Sequence, residues 1–137
     1  MKFTAIRENH LYQKAYRNGK RAVTPAFSLY VLRDKHAHRL MKARPDRTYI
    51  NRIGITASKK IGGAVERNRA KRVLRESLRL ILQQTPLRTG HLVVIAARES
   101  ATVMKMQDVQ RDMQKALAKV GLIVPPAPAR PDTDGKL

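Results

Sequence analysis

Apolar residues in the first third of the chain are spaced first as in a helix and then as in a strand. Over residues 9–18 they recur at intervals of three or four, which predicts a short helix that Gly19 ends in a left-handed conformation. The apolar run of residues 26–32, which includes Ser28, predicts a strand. Residues 33–47 are basic with little apolar pattern, and we interpret them as a long hairpin loop leading to a second strand at 49–58.

The rest of the chain continues this alternation of helix and strand patterns. Residues 63–84 follow the 3.6-residue period of a long helix. The uninterrupted apolar run at 92–97 is typical of a strand that is buried on both faces. A hydroxyl side chain, Ser100 or Thr102, is placed to cap a last helix that Gly121 ends. The apolar face of that helix consists of Val103, Met106, Val109, Met113, Leu117 and Val120.

The order helix, strands, long basic helix, strand, helix predicts an α/β two-layer sandwich. Its strand–helix–strand portion allows two parallel strands, and the general rule for such crossovers predicts a right-handed connection. Residues 1–122 are expected to form one domain with a modest core. Residues 123–137 are rich in proline and polar side chains, so we expect a disordered tail.

The long helix has one charged face and one apolar face, because its cations separate from its apolar side chains at about 100° per residue. The charged face carries Arg67, Lys71, Arg72, Arg75 and Arg79, and the apolar face carries Ala70, Val73, Leu74, Leu78 and Ile81. Only Glu76 interrupts the cations, whereas solvated helix faces ordinarily mix both signs. We therefore interpret this face as an RNA contact, with a solvated face as the alternative. Lys59 and Lys60 precede the helix, where its dipole and backbone N–H groups favour an anion.

Composition favours a polyanionic partner. The 137 residues include 29 Lys and Arg against 10 Asp and Glu, which gives a formal net charge of +19. Such an excess favours nucleic acid ahead of an anionic membrane or an acidic protein. The chain has no cysteine, which is consistent with a reducing cytoplasm, and no apolar run of about 18 residues. The basic helix could lie on a membrane surface, but it lacks Trp and Phe anchors.

No group of residues in the sequence suggests a catalytic site. Carboxylates are scattered, although a protein nuclease needs them clustered around metal ions or needs a His with a partner base. His36 and His38 have a spacing that a metal site could use, but they lie in the predicted loop. Neither a phosphate-binding Gly-x-x-x-x-Gly-Lys-Ser/Thr loop nor Gly-x-Gly-x-x-Gly is present, and the pair Gly62-Gly63 alone is weak support for nucleotide binding. The sequence thus favours a binding protein.

Tyr12 and Tyr16 lie one turn apart on the first predicted helix, so their rings are expected to be neighbours. In one interpretation both rings pack into the core. In the other they form a platform on which unpaired bases stack. Spacing alone leaves both interpretations open.

The region around the long helix resembles the bacterial ribonuclease P protein component. The family's Arg-Asn-Arg motif is present as Arg67-Asn68-Arg69, followed by Lys71-Arg72. Residues 12–21 look like the family's aromatic helix, and residues 91–98 look like its last strand. The resemblance spans roughly residues 7–120.

This resemblance implies the fold of the ribosomal-protein domain-2-like family, with an unusual left-handed βαβ crossover in place of the right-handed one. It also implies an RNA-based endonuclease that removes the 5′-leader from precursor tRNA by magnesium-dependent hydrolysis. The RNA subunit would carry the chemistry, and the protein would raise substrate affinity and lower the magnesium requirement while binding no metal itself. One cytoplasmic protein per RNA, with no membrane partner, is expected.

Two sets of residues acquire roles from the resemblance, and neither set is catalytic. The residues expected to bind the catalytic RNA are Lys60, Arg67, Asn68, Arg69, Lys71, Arg72 and Arg75. The residues expected to bind the precursor leader are Tyr12, Tyr16, Phe27, Tyr30, Ser58 and Lys59. Family members often carry Phe at the positions of Tyr12 and Tyr16 and Asn at that of Gly63, so a role for that amide would be lost here.

Three other function classes compete with this interpretation. A structural RNA-binding protein of ribosomal-protein type would share the composition, although the Arg-Asn-Arg context favours the nuclease subunit. A stand-alone nuclease is disfavoured because the carboxylates are scattered. DNA binding through the basic helix is disfavoured because the chain lacks helix-turn-helix patterning.

Overall fold

The computed structural model describes residues 4–6, 8–35, 39, 51–85, 87–88 and 90–123. Within these ranges the elements follow one another as β1 (Thr4–Ala5), α1 (Asn9–Asn18), β2 (Lys20–Val23), β3 (Phe27–Arg33), β4 (Arg52–Thr56), a 3-10 helix (Lys59–Ile61), α2 (Ala64–Gln84), β5 (His91–Ala97), a second 3-10 helix (Glu99–Thr102) and α3 (Met106–Lys119). The predicted first helix and long basic helix are confirmed to within a residue. The strands β1 and β2, which are only two and four residues long, were not predicted.

The five strands form one mixed sheet in the order β1-β4-β5-β3-β2. Strands β1, β4 and β5 run parallel to one another, and β3 pairs antiparallel with both β5 and β2. The predicted hairpin between β3 and β4 is therefore wrong, because β5 lies between these two strands. Strand β5 is apolar on both sides, so burial favours its place at the centre of the sheet.

Helices cover both faces of this sheet, and the mixed α/β architecture is confirmed. Helices α2 and α3 pack together on the face that contains Phe27, Leu29, Val93 and Ile95, where the larger core is buried. Helix α1 covers part of the opposite face, where a smaller cluster contains Ile6, Leu11, Ala15, Leu92 and Val94. Helix α2 connects the parallel neighbours β4 and β5, and the left-handed sense of this crossover stays a prediction.

Glycines end the first and last helices in different ways. Gly121 has a φ of 81°, and its amide group and that of Leu122 close a Schellman motif. The Gly121 amide donates to the carbonyl oxygen of Ala118 at 3.1 Å, and the Leu122 amide donates to that of Leu117 at 2.9 Å. Gly19 was predicted to be left-handed, which is wrong, since its φ is −76°. A Cβ there would lie 2.6 Å from the carbonyl oxygen of Ala15, so close approach of two backbones explains this glycine.

Helix α3 begins later than predicted and without a hydroxyl cap. Residues Ser100 and Thr102 instead belong to the second 3-10 helix, in which the Thr102 hydroxyl donates to the carbonyl oxygen of Glu99 at 2.8 Å. Lys105 precedes α3 and provides no side-chain cap. Val103, predicted on the apolar face, is 79% exposed.

Burial continues to Ile123, one residue past the predicted domain boundary, and the boundary itself stays a prediction. Leu122 and Ile123 are both buried in the larger core, and the carbonyl oxygen of Leu122 accepts a hydrogen bond from the Arg88 amide at 2.8 Å. The predicted disordered tail otherwise lies outside the described residues, as do residues 49–50 of the predicted strand and both His36 and His38. Among the helices that the structure describes, none is long and apolar enough to cross a membrane.

Candidate nucleic-acid interface

Beyond the end of α1, its sheet face carries a row of small side chains beside Tyr16 and Tyr30, and we call this surface the tyrosine groove. Thr56, Ala96, Ser28 and Val23 are cross-strand partners in one continuous row over β4, β5, β3 and β2. Their side chains alternate with those that enter the larger core, so the row lies on the α1 face. Val23, at the edge of the row, is 45% exposed. Small residues here leave space above the sheet where α1 ends.

An aromatic pair stands beside this groove. The rings of Tyr16 on α1 and Tyr30 on β3 meet edge to face, with centroids 5.0 Å apart and planes at 82°. Tyr16 is 38% exposed, and its hydroxyl lies 3.4 Å from the Thr56 hydroxyl at the groove floor. The guanidinium of Arg21 lies 5.8 Å from the Tyr30 ring centroid. An exposed ring and a cation therefore share one wall of the groove.

Tyr12 has a different environment from Tyr16. It packs against the smaller core, and its hydroxyl donates to the Ile6 carbonyl oxygen at 3.4 Å. A Cβ on Gly54 would lie 2.3 Å from that hydroxyl oxygen, so the ring lies directly over the β4 backbone. Burial, with a smaller contribution from Tyr16, raises the pKa of Tyr12. Tyr12 is thus half-buried against the smaller core, whereas Tyr16 has an exposed ring, and leader binding by Tyr12 stays a prediction.

Phe27 does not fit the predicted leader set. Its side chain is fully buried in the larger core, on the sheet face that packs against α2 and α3. The neighbouring position on β3, Ser28, faces the groove instead. Because side chains alternate along a strand, Phe27 and Tyr30 project from opposite faces, and Phe27 offers no surface to a base.

The junction between β4 and α2 carries the exposed residues Ser58, Lys59 and Lys60. The two lysines lie in the first 3-10 helix, after which Gly62 adopts a φ of 142°. The predicted anion at the start of α2 is already supplied from within the chain, because the Glu66 carboxylate accepts a hydrogen bond from the Gly63 amide at 2.9 Å. The lysines, which have no salt-bridge partner among the described residues, remain available.

The cations of helix α2 lie opposite its buried apolar face, and they differ in how exposed they are. Asn68, Arg69, Arg72 and Arg75 are exposed, and Arg67 and Lys71 are half-buried. Ala70, Leu74, Leu78 and Ile81 are fully buried on the opposite side of the helix, so the two faces separate cleanly. The Nε atom of Arg69 donates to the carbonyl oxygen of Thr102 at 2.7 Å, which ties α2 to the second 3-10 helix.

Arg79, at the end of the predicted charged face, is paired within the chain. It forms an i,i+3 ion pair with Glu76. Their hydrogen bond lowers the pKa of the Glu76 carboxyl and raises that of the Arg79 guanidinium. The cations without such an acidic partner therefore lie towards the amino-terminal end of α2.

Sequence reasoning missed Arg21 and the small-residue floor of the groove. Arg21 faces Tyr30 only because β2 pairs with β3 in the register Arg21↔Tyr30. No signal in a four-residue strand specifies that register. Among the described residues, no group of three or more His, Cys, Asp or Glu side chains could hold a metal ion.

The family model and the similar sequences all point to ribonuclease P proteins. A family model described as Ribonuclease P matches residues 1–121. The ribonuclease P protein component of Clostridium acetobutylicum is 35% identical over 124 residues, which cover 90% of this chain and 94% of that protein. That of Dehalococcoides mccartyi is 44% identical over 84 residues, covering 61% of this chain and 67% of that protein.

Solved structures share the fold. The RNase P protein of Staphylococcus aureus superposes with a TM-score of 0.67 at 24% identity, over 88% of this chain and 97% of that one. The RNase P protein of Thermotoga maritima superposes with a TM-score of 0.61 at 19% identity, over 81% and 92% of the two chains. At these identities the likeness shows the architecture of the chain.

Proposed function

This chain belongs to the ribonuclease P protein family, and we propose that it is the protein subunit of a ribonucleoprotein endonuclease that removes the 5′-leader from precursor tRNA. In this proposal the RNA subunit carries out the hydrolysis, and the protein binds both that RNA and the leader. The observation that supports two binding roles is the presence of two separate surfaces. One is the groove beside Tyr16 and Tyr30, and the other is the cationic face of α2.

The groove suits a single strand of RNA. An unpaired leader base stacks on the exposed Tyr16 ring, a contact worth about 1–3 kcal/mol. Arg21 lies within reach of an adjacent phosphate, because its guanidinium stands at the Tyr30 ring on the same wall. Lys59 is exposed three residues beyond Thr56, the last residue of β4 and part of the groove floor. Since stacking and phosphate contacts read no base edges, this grip accepts leaders of different sequence.

The cationic face of α2 suits the phosphate backbone of a folded RNA. Its exposed arginines extend over consecutive helical turns, and its packed face holds the helix against the larger core. Such contacts release counterions, which supplies affinity for RNA independently of sequence. Arg69 contributes to this surface partly by holding the second 3-10 helix in place through Thr102.

The two surfaces are joined by a short connection. The groove floor includes Thr56 at the end of β4, and only residues 57–63 separate it from the first turn of α2. A leader held in the groove is therefore fixed relative to an RNA bound along α2. This fixed relation places the cleavage site against the catalytic RNA, and positioning of this kind lowers the entropic barrier to reaction.

The protein assists magnesium-dependent chemistry without holding the metal. Its net charge of +19 lowers the repulsion between the two RNAs, so Mg²⁺ held by RNA is needed at lower concentration. We place this assembly in the cytoplasm, with one protein per catalytic RNA.

Reconstitution tests this function. The protein is combined with the ribonuclease P RNA of the same genome and a precursor tRNA, and cleavage is measured over a range of Mg²⁺ concentrations. We expect correct 5′-processing at a lower Mg²⁺ concentration than for the RNA alone, and no cleavage by the protein alone. If the protein copurifies with ribosomes and leaves cleavage unchanged, it is instead a structural RNA-binding protein.

A further inference from the structure

A second basic depression lies at the amino-terminal end of α1, away from the tyrosine groove. We call it the α1 pocket. It has a volume of about 1160 Å³, and Leu11 and Leu92 form part of its wall. The cations that line it are Lys14, Arg33, Lys35, Arg39 and Arg52. None of the interactions described above involves these side chains.

Both acidic groups of the α1 pocket lining are paired with the same cation, Arg52. Arg52 forms two hydrogen bonds with Asp34, from Nε to Oδ2 at 2.7 Å and from Nη2 to Oδ1 at 2.9 Å. Its Nη1 atom also lies 3.4 Å from the Glu8 carboxylate. The hydrogen bonds that Arg52 donates to Asp34 raise the pKa of the Arg52 guanidinium. Among the described lining residues, five cations therefore outnumber two acidic groups, and both of these groups contact Arg52.

Four cations in the α1 pocket have no acidic partner in the part of the chain that the structure describes. Lys14, Lys35 and Arg39 are exposed and form no salt bridge there, and the same holds for Arg33 at the end of β3. Like charges around one depression repel each other, and an anion relieves this repulsion. Arginine and lysine side chains donate hydrogen bonds, and the oxygens of a phosphate group accept them.

The first turn of α1 adds to this positive potential. No side chain caps its amide groups, and the turn contains no acidic residue. The positive end of the helix dipole therefore faces the same space as the cations. This contribution accompanies the cation cluster and would not define a site without it.

We propose that the α1 pocket binds a phosphate group of an RNA strand. The pocket is distinct from the tyrosine groove, because Leu92 in its wall and Ala96 in the groove floor lie four residues apart on β5, about 13 Å along the strand. The choice of RNA as the source of the phosphate rests on the proposed function. The affinity of the pocket for a phosphate group does not depend on that function.

The first experiment measures phosphate binding without RNA. The full-length protein is titrated with inorganic phosphate at constant ionic strength, and its amide NMR signals are followed. We expect the Leu11 and Leu92 amides to shift saturably, and the shifts to disappear in the double variant Lys14→Ala/Arg39→Ala. The matched control removes two exposed cations from α3, in Lys115→Ala/Lys119→Ala, and should retain the shifts. Loss of the shifts in both variants, or their absence from the parent protein, would overturn the site.

The second experiment identifies the RNA that supplies the phosphate. Salt dependence of binding is measured for the catalytic RNA with the protein, and for precursor and mature tRNA with the holoenzyme. The slope is that of the logarithm of the binding constant against the logarithm of salt concentration. For the RNA that occupies the pocket, Lys14→Ala/Arg39→Ala should lower this slope by about 1.4–1.8 relative to Lys115→Ala/Lys119→Ala. A reduced slope with the catalytic RNA, or with precursor alone, assigns the source. Slopes equal to the control on all three RNAs would refute an RNA ligand, whatever the outcome of the phosphate titration.

Discussion

Replacing Tyr16 by Ala separates leader binding from a general packing role for this ring. The substitution removes a side chain that is 38% exposed and touches Tyr30 edge to face. If one leader base stacks on Tyr16, its loss should weaken precursor binding by about 1–3 kcal/mol, or about 5- to 150-fold. Affinity for mature tRNA, which has no leader, should stay within about twofold because it loses no contact worth more than ~0.4 kcal/mol.

The same substitution affects folding only modestly. The edge-to-face pair with Tyr30 contributes about 0.5–1.5 kcal/mol, and the hydroxyl contact with Thr56 at 3.4 Å is exposed to solvent and adds little. A loss near 1 kcal/mol lowers Tm by about 2–8 °C for domains of this size range. The variant should therefore remain folded at 25 °C, where binding is measured.

The assay compares equilibrium affinities of the holoenzyme for mature tRNA and for a non-cleavable precursor, with a melting curve for each protein. Tyr16→Phe is the matched control, since it keeps the ring and its contact with Tyr30 and removes only the hydroxyl. We expect this control to bind the precursor as the parent does. Equal losses for precursor and mature tRNA, or equal losses in the Phe and Ala variants, would refute the stacking role.

Three other variants test separate features of the structure. Changing Arg67, Lys71 and Arg72 together to Ala should lower the salt-dependence slope for the catalytic RNA by about 2–3 at unchanged fold, and an unchanged slope in a folded variant would contradict the phosphate contacts. Gly62→Ala should reduce the free energy of unfolding in urea by about 1–3 kcal/mol because its φ is 142°, and a neutral result would exclude this strain. Burial raises the pKa of Tyr12 above its ordinary value of 10.0, so the associated stability is present below pH 10.0 and is lost as pH rises through the folded-state pKa. Tyr12→Phe should make urea unfolding less sensitive to pH above that value, and an identical alkaline loss would count against burial of the phenol.

Local patterns in the sequence were sufficient for the elements that a single face or run specifies. Helix α2 was predicted because cations and apolar residues separate at its period, and β5 because its apolar run is uninterrupted. The same patterns predicted that Ala70, Leu74, Leu78 and Ile81 are buried, whereas Arg67 and Lys71 of the predicted charged face are half-buried. They failed for β1 and β2, since strands of two and four residues are too short to show a period of two.

The pairing of strands could not be obtained in this way. The hairpin between β3 and β4 was the simplest connection, but hydrogen bonding of both strands to β5 is what completes the buried sheet. Gly19 is a related case. A side chain at Gly19 would be too close to two carbonyl oxygens, that of Ala15 in α1 and that of Val31 in β3.

For the candidate sites, the sequence by itself determined the chemistry: a large cationic excess, a helix with one charged face, and tyrosines near the amino terminus. Only the tertiary structure decided which of those groups face the same space. It buried Phe27 in the larger core, packed Tyr12 over β4, and brought Arg21 to the Tyr30 ring. The physical reason is that charge and helical period are properties of neighbouring residues in the chain. Grooves and pockets depend on strand register and on which sheet face each helix covers, and long-range packing sets both.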